Sequence, residues 1–367
     1  MKSLCKSRTA IGIDVGSRSI KVVQLAVSGR RTSKSSIASH QIVALTMLPR
    51  VRVDQQIDRQ ELLDVKSVVR RQGFYGNDIV LTAPERRLLH GVFEVPHSAV
   101  GESGDPIAQI ARMELSRMHN VAPDSFELVC WEQPLAGESK SSHRVGQAVA
   151  VGCPHDAANE LIDLFEGAGF NVCGLDLHSA AAARACLSLA VPPPRLTAIL
   201  DLGWKTTKLL LVCGDTIIYE RFINSNCLAK LNARLSEMFG LTEQAADQTI
   251  STVSLVEGSE AGEFDRQTIE AVRRIIIKHF DVMLEELKIP FDYASHQYPG
   301  EGIKRLLLIG GGARILGLSQ YIQNVLNIEV LSAAPKDLLC QNGSQTLTKL
   351  SHPAMTVAVG LAMFDGD

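Results

Sequence analysis

The apolar positions of the chain fall first into short runs with few breaks. TAIGIDVG (9–16), SIKVVQLAV (19–27) and IVALTML (42–48) each read as a strand. The basic stretch GRRTSKSS (29–36) separates the second run from the third and reads as a hairpin tip. The period then changes. Leu62, Val65, Val68 and Val69 recur at helical spacing and predict a helix over 58–72, with Gly73 as its C-terminal cap. From about 77 to 146 the texture differs. Strands at IVLTAP and GVFEV, a helix near Pro106–Met118, a strand near Phe126–Trp131 and a polar tip at 137–144 together suggest an inserted subdomain. A strand (QAVAVG), a helix over 155–168 and an Ala-rich helix over 180–190 follow, and then Pro192, Pro193 and Pro194, which cannot continue a helix.

After the prolines the opening pattern restarts. TAILDLG, TKLLLVC and TIIYERF predict three strands in a row. Helices are predicted over 228–239, 242–249 and 263–287, and a buried strand, RLLLIGGG, over 305–312. A helix over 315–326, a short strand (IEVL) and an apolar helix over 353–364 complete the chain. No stretch reaches the roughly 18–20 apolar residues that a membrane-spanning helix needs.

The restart is a repeat. GIDVGSRSIKVVQL and ILDLGWKTTKLLLV align without a gap, matching Asp14 to Asp201, Gly16 to Gly203, Arg18 to Lys205, Ser19 to Thr206 and Lys21 to Lys208. The offset, 201 − 14 = 187 residues, is about half of the 367. It implies two related domains, not a solenoid with its periods of about 20–50 residues. The residue types suit phosphate. A turn between strands can aim several backbone N–H groups at one anion, and glycine lets a ligand come close. Ser17, Ser19, Thr206 and Thr207 add hydroxyls, and Lys21 adds a charge for terminal phosphates. Asp14 and Asp201 would face each other and hold magnesium through water. Ordinary hairpins with Asp-x-Gly turns have the same local pattern, but two copies in matching register favour a nucleotide site. A third motif, Gly310-Gly311-Gly312-Ala313-Arg314, ends a buried strand and opens a helix, where a ligand's base or sugar could lie against backbone. It is neither a P-loop nor a dinucleotide fingerprint.

Composition narrows the reading. The chain is 46% hydrophobic and 21% charged, with 37 basic and 40 acidic residues and a net charge of −3. That balance excludes a dominant nucleic-acid or membrane-binding face. The eight cysteines form no Cys-x-x-Cys pair and read as reduced thiols packed as small apolar groups. The ten histidines show no ligand spacing.

Taken in order, the three motifs resemble those of the actin / heat-shock-70 / sugar-kinase ATPase superfamily. DVGSRSIK is similar to its first phosphate motif, DLGWKTTK to its second and LIGGGARILGL to its adenosine motif. LDLHSAAAARACL and PAMTVAVGLAMF resemble its two connecting helices. Within the superfamily the match is to the PilM family of type IV pilus assembly, which shares the inserted subdomain with the division protein FtsA. FtsA adds a C-terminal amphipathic helix after a linker, whereas this sequence stops three residues past Phe364.

The resemblance implies an α/β, actin-like ATPase fold with two related domains flanking a nucleotide cleft. The first would span 1–191, with the insertion at about 77–146. The second would span 192–367, with a helical subdomain at about 225–300. It implies that Asp14, Gly16, Ser17, Arg18, Ser19, Lys21, Asp201, Gly203, Thr206 and Thr207 bind phosphate. Gly310, Gly311, Gly312, Ala313 and Arg314 would bind adenosine, and ATP with Mg2+ would be the cofactors. It further implies docking of an N-terminal peptide of the membrane protein PilN, other pilus platform partners and self-association. The protein would be a cytoplasmic scaffold at the inner face of the cytoplasmic membrane, reaching the membrane only through partners.

Three departures from the family pattern lower the expected activity to a weak ATPase at most. Arg221 to Cys227 lack a Gly-Gly pair, Ala245 to Ile250 lack a lysine, and Trp204 is bulky beside a phosphate. A small-molecule kinase with Asp176 as general base, and a scaffold that has lost its nucleotide, are the competing readings.

Overall fold

The structure, a computed structural model, describes residues 7–28, 39–53, 56–96, 106–134, 145–193, 195–223, 226–256, 266–298, 302–339 and 347–366. The basic stretch 29–36, the polar tip 137–144, Pro194 and Asn224 lie outside these residues.

The chain begins with β1 (Ser7–Arg8), β2 (Ile11–Val15), β3 (Ser19–Ser28) and β4 (Ser39–Pro49). Helix α1 (Arg59–Arg71) follows, its N-terminus capped by the Asp58 carboxylate accepting from the Glu61 amide. Then come β5 (Asp78–Thr82), β6 (Leu89–Pro96), α2 (Pro106–His119), β7 (Phe126–Glu132), β8 (Val145–Pro154), α3 (His155–Glu166), β9 (Asn171–Asp176) and α4 (His178–Cys186). The second half runs β10 (Leu196–Leu202), β11 (Thr207–Cys213), β12 (Thr216–Ile223), α5 (Leu228–Phe239), α6 (Glu243–Thr252), α7 (Arg266–Gln297) and β13 (Ile303–Ile309). It ends with α8 (Leu318–Leu326), β14 (Glu329–Ser332), α9 (Pro335–Leu338), α10 (Leu347–Leu350) and α11 (Thr356–Ala362).

The repeat read from sequence reappears as topology. One sheet runs β4-β3-β2-β5-β9 and another β12-β11-β10-β13-β14; in each, two antiparallel pairings are followed by two parallel ones. The third sheet, β6-β8-β7, carries α2 on one face through Ala111, Leu115 and Phe126.

Period-2 alternation sends the sheet residues to different layers. On β10, Ala198, Leu200 and Leu202 pack outward with α5, α6, α7 and α8, while Ile199 packs inward. On the first sheet, Ile11, Ile13, Ile20 and Val22 pack outward against α1 and α3, while Val23 and Leu25 pack inward. The inward residues of both sheets meet on α4 and α11, so these two helices form the middle layer. Both faces of each sheet are therefore buried, which is why the strands read as near-continuous apolar runs.

Two elements differ from expectation. Helix α7 does not stop near Leu287 but continues through Pro290 to Gln297. Leu287, Pro290 and Ala294 are buried on one face, and this packing outweighs the hydrogen bond lost at proline. The glycine strand does not open directly into an α-helix. A 3-10 turn, Gly311–Arg314, intervenes, and α8 starts only at Leu318.

The middle layer depends on a close crossing. A Cβ added at Gly360 on α11 would lie 1.8 Å from the Ala181 carbonyl oxygen of α4. Gly360→Ala is expected to cost about 3 kcal/mol by overpacking, measured by urea unfolding. Gly311→Ala, where an added Cβ meets nothing within 4 Å, is expected to stay within about 0.5 kcal/mol.

Candidate functional site

The first and second sheets each present one tight hairpin turn to a shared cleft of about 1410 Å³. In the first, the Gly16 amide donates to the Ser19 carbonyl at 3.0 Å; in the second, the Gly203 amide donates to the Thr206 carbonyl at 3.0 Å. Asp14 stands opposite Lys21 across its ladder, and Asp201 opposite Lys208. The two turns are therefore the same structure built twice.

The first turn is held from behind. Arg50 is buried, pairs with Glu61 at 2.9 Å and donates to the Gly16 carbonyl. Its own amide donates to the Arg18 carbonyl. Lys21 Nζ lies 3.0 Å from Asp14 Oδ2, both side chains nearly buried. Gly16 leaves the room for this ammonium, since a Cβ there would sit 2.3 Å from Nζ.

The second turn is wired into the helices below it. The amides of Leu228 and Ala229, at the start of α5, donate to the carbonyls of Gly203 and Trp204. Thr207 Oγ1 donates to the Asn226 carbonyl. The sequence pattern places Thr207 on phosphate; the structure instead buries it, away from the cleft lining, as part of this support.

The two lysines part company. Lys21 lines the cleft, but Lys208 is turned below it, between Glu85 and Glu220, with its ammonium 4.5 Å from the centre of the Phe222 ring. His178, first residue of α4, takes the place opposite Asp201, its Nε2 lying 3.2 Å from Oδ2. Its Nδ1 is buried without a hydrogen-bond partner, with Glu85 Oε1 3.9 Å away. Burial alone would lower the His178 pKa, but Glu85 and the Asp201 hydrogen bond outweigh it and hold it above the usual value. Burial would likewise raise Asp201, yet His178, Lys21 and Lys208 hold it below the usual carboxylate value. Burial would lower Lys208, and Glu85 and Glu220 outweigh it, so its pKa is raised.

The glycine segment is shaped by the second hairpin. Gly310 has φ +81°, and a Cβ there would lie 2.2 Å from Asp201 Oδ1. At Gly312 a Cβ would lie 2.8 Å from the Leu202 Cβ. Packing thus accounts for two of the three glycines, and only Gly311 opens onto free space. Arg314 and His352 meet at the cleft edge, 3.1 Å apart. Burial first, then Arg314 and Lys21, push His352 down to about 4.

Of the residues read from sequence, Asp14, Gly16, Ser17, Arg18, Ser19, Lys21, Asp201, Gly203, Thr206 and Gly310 to Arg314 all line the one cleft. The guanidinium of Arg18 is engaged across that cleft with Trp204, Glu243 and Asp247. Asp176 lies outside the lining and pairs with Arg184 at 2.7 Å, so it is not placed as a general base. Lys208 is marked in the sequence only as the repeat's match to Lys21, and Glu85 carries no signal there; His178 carries a local one, as the single imidazole heading an Ala-rich helix. Among the described residues, no three His, Cys, Asp or Glu side chains group as metal ligands, and no helix is long and apolar enough to cross a membrane.

Lys208→Met would strand Glu85 and Glu220 and is expected to cost about 3 kcal/mol, read by urea unfolding at neutral pH, with part regained in acid. His178 has a raised folded pKa, so its contribution is complete below 6.5 and fades as pH rises through the folded value. Stability measured from about pH 6 to about pH 9 should show this decline, and His178→Gln should flatten it.

Known proteins share this architecture. The solved structure of a PilM-PilN type IV pilus biogenesis complex matches with a TM-score of 0.73 at 18% identity, covering 97% of this chain and 98% of that one. The ethanolamine utilization protein EutJ from Carboxydothermus hydrogenoformans matches with a TM-score of 0.52 at 15% identity, covering 99% of this chain and 91% of that one. The fold is accordingly actin-like. The family model for the type IV pilus assembly protein PilM matches residues 12–365, and the chain therefore belongs to the PilM family of type IV pilus assembly proteins.

Proposed function

We propose that the protein is a nucleotide-responsive scaffold of the pilus assembly platform, binding ATP with magnesium between its two hairpins. The observation that carries this reading is the duplicated turn, with its Asp14–Lys21 and Asp201–His178 pairs facing one cleft. The backbone amides of Ser17, Ser19 and Thr206 and the ammonium of Lys21 would hold the phosphates. Gly311, open to the cleft, would lie against the adenosine.

The carboxylates fit a cation held mostly by phosphate and water. Lys21 takes Asp14 Oδ2 and His178 takes Asp201 Oδ2, which leaves one oxygen of each free of those pairs. Two monodentate carboxylates are too few for an all-protein cage but suit magnesium, which keeps several waters. Bound there, the cation would screen the phosphate charge.

The family and the resemblance to PilM in its complex with PilN support a partner as well. We infer docking of a short N-terminal PilN peptide, which would bring the protein to the inner face of the cytoplasmic membrane. We infer also that residues 1–191 and 192–367 act as two domains; the insertion read from sequence at about 77–146 moves to 89–154, because β5 pairs with β2 and β9 in the first sheet and β8 runs on to Pro154 in the third. Hydrolysis is expected to be weak at most, and the engagement of Asp176 with Arg184 speaks against a kinase base there.

Calorimetry with magnesium and ATP should give a micromolar or tighter constant. Asp14→Ala should weaken it about 10-fold, roughly 1.4 kcal/mol. No binding in the wild type would leave a scaffold without nucleotide. Titration of a PilN N-terminal peptide with and without Mg-ATP should show a nucleotide-dependent affinity, and absence of binding in both states would remove the partner reading.

A further inference from the structure

Arg18, at the tip of the first hairpin, does not point its charge into the depth of the cleft. Its guanidinium carbon lies 3.6 Å from the centre of the Trp204 indole, at the tip of the second hairpin. Its Nη2 meets Glu243 at 2.8 Å and its Nη1 meets Asp247 at 2.7 Å, both on α6. One side chain thus spans the cleft mouth and joins both tips to a helix that lines the cleft through Asp247, Ile250 and Ser251.

We propose that Arg18 is a phosphate-released strap: unliganded, it closes the cleft mouth onto Trp204 and α6, and the phosphates of an entering ligand draw it off. This inference rests on the cleft being a phosphate site. The relative strengths decide the direction. Glu243 and Asp247 are 60% and 50% exposed, so their ion pairs are weak. A phosphate offers the guanidinium bidentate, charge-assisted hydrogen bonds within the same turn that holds Ser17 and Ser19. Once Arg18 leaves, Glu243 and Asp247 lose their shared cation, and Asp247, which lines the cleft, faces the phosphates as a negative charge. Repulsion then moves α6 outward.

That movement has a path. The Asn232 side chain ties α5 to the Glu243 carbonyl, and the α5 amides tie the helix to the Trp204 turn. Release of one guanidinium therefore removes the tie at the cleft mouth from a turn, α5 and α6 that stay linked to one another. Trp204, which looks obstructive beside a phosphate, becomes the surface on which the strap rests.

The chain has two tryptophans, Trp131 and Trp204, so fluorine NMR of the full-length protein carrying 5-fluorotryptophan reads the strap directly. Trp204→Phe assigns the resonances. Saturating Mg-ATP or inorganic triphosphate should move the Trp204 resonance to the position it holds in unliganded Arg18→Ala, while adenosine leaves it in place. Glu243→Gln with Asp247→Asn should shift it the same way without ligand. Arg18→Ala should also speed ATP association by at least about 3-fold, since no strap must open. If calorimetry shows ATP bound and the Trp204 resonance does not move, the strap is overturned and the nucleotide site survives. If ATP fails to bind but triphosphate moves the resonance, the strap stands and the nucleotide reading falls. Identical Trp204 resonances in unliganded wild type and Arg18→Ala overturn it outright.

Discussion

The close crossing of α4 and α11 sets the geometry of everything above it. Without a side chain at Gly360, α11 lies directly on the Ala181 backbone, and the two helices fill a single layer between the sheets. Both lead into the cleft. Helix α4 starts at His178, beneath Asp201, and the 3-10 turn leading into α11 starts next to His352, on the cleft edge. The depth of that layer therefore fixes how near the two hairpin tips come. A wider crossing would separate Asp14 from Asp201 even with both hairpins intact.

Duplication explains the frame but not the chemistry of the two walls. Both halves keep the turn hydrogen bond, the aspartate and the opposed lysine. Only the first keeps lysine and aspartate as partners. In the second, Glu85 from the other half has captured Lys208, and His178 has moved in on Asp201. The floor is thus a set of buried charges in which His178 and Glu85 from the first half pair with Asp201 and Lys208 from the second. Of these groups His178 depends most on the contact, since Glu85 and Asp201 hold its pKa above the usual value against burial.

Much of this is legible in the sequence because it is local. The two turns, their glycines and the aspartates are each contained in one short segment, and a repeat makes a local pattern hard to mistake. The strands are legible because both their faces are buried. What stays hidden depends on distance along the chain. Glu85 and Lys208 are 123 residues apart, and Arg18 and Glu243 are 225 apart. No spacing rule connects such pairs. Thr207 misleads because hydroxyl chemistry suits a phosphate as well as a carbonyl, and only the fold shows which it meets. The run of three glycines has a cause that the sequence does not show, since packing against Asp201 and Leu202 already demands two of them.

The unit formed by β6, α2, β7 and β8 has a mechanical consequence. It is joined covalently to the first sheet at both ends, through β5 and α3. It also reaches the second sheet and the end of α7. Trp131 Nε1 donates to the Ile217 carbonyl, Gln133 Nε2 to the Ile218 carbonyl, and Tyr298 Oη to the Pro134 carbonyl. The two sheets are themselves connected through α4. Three rigid bodies linked pairwise make a closed kinematic loop, and a closed loop has fewer independent motions than a hinge. Any rotation of one sheet against the other must carry the small unit with it or detach Trp131. The edge of β12 is thus the place where the small unit bears on the second sheet.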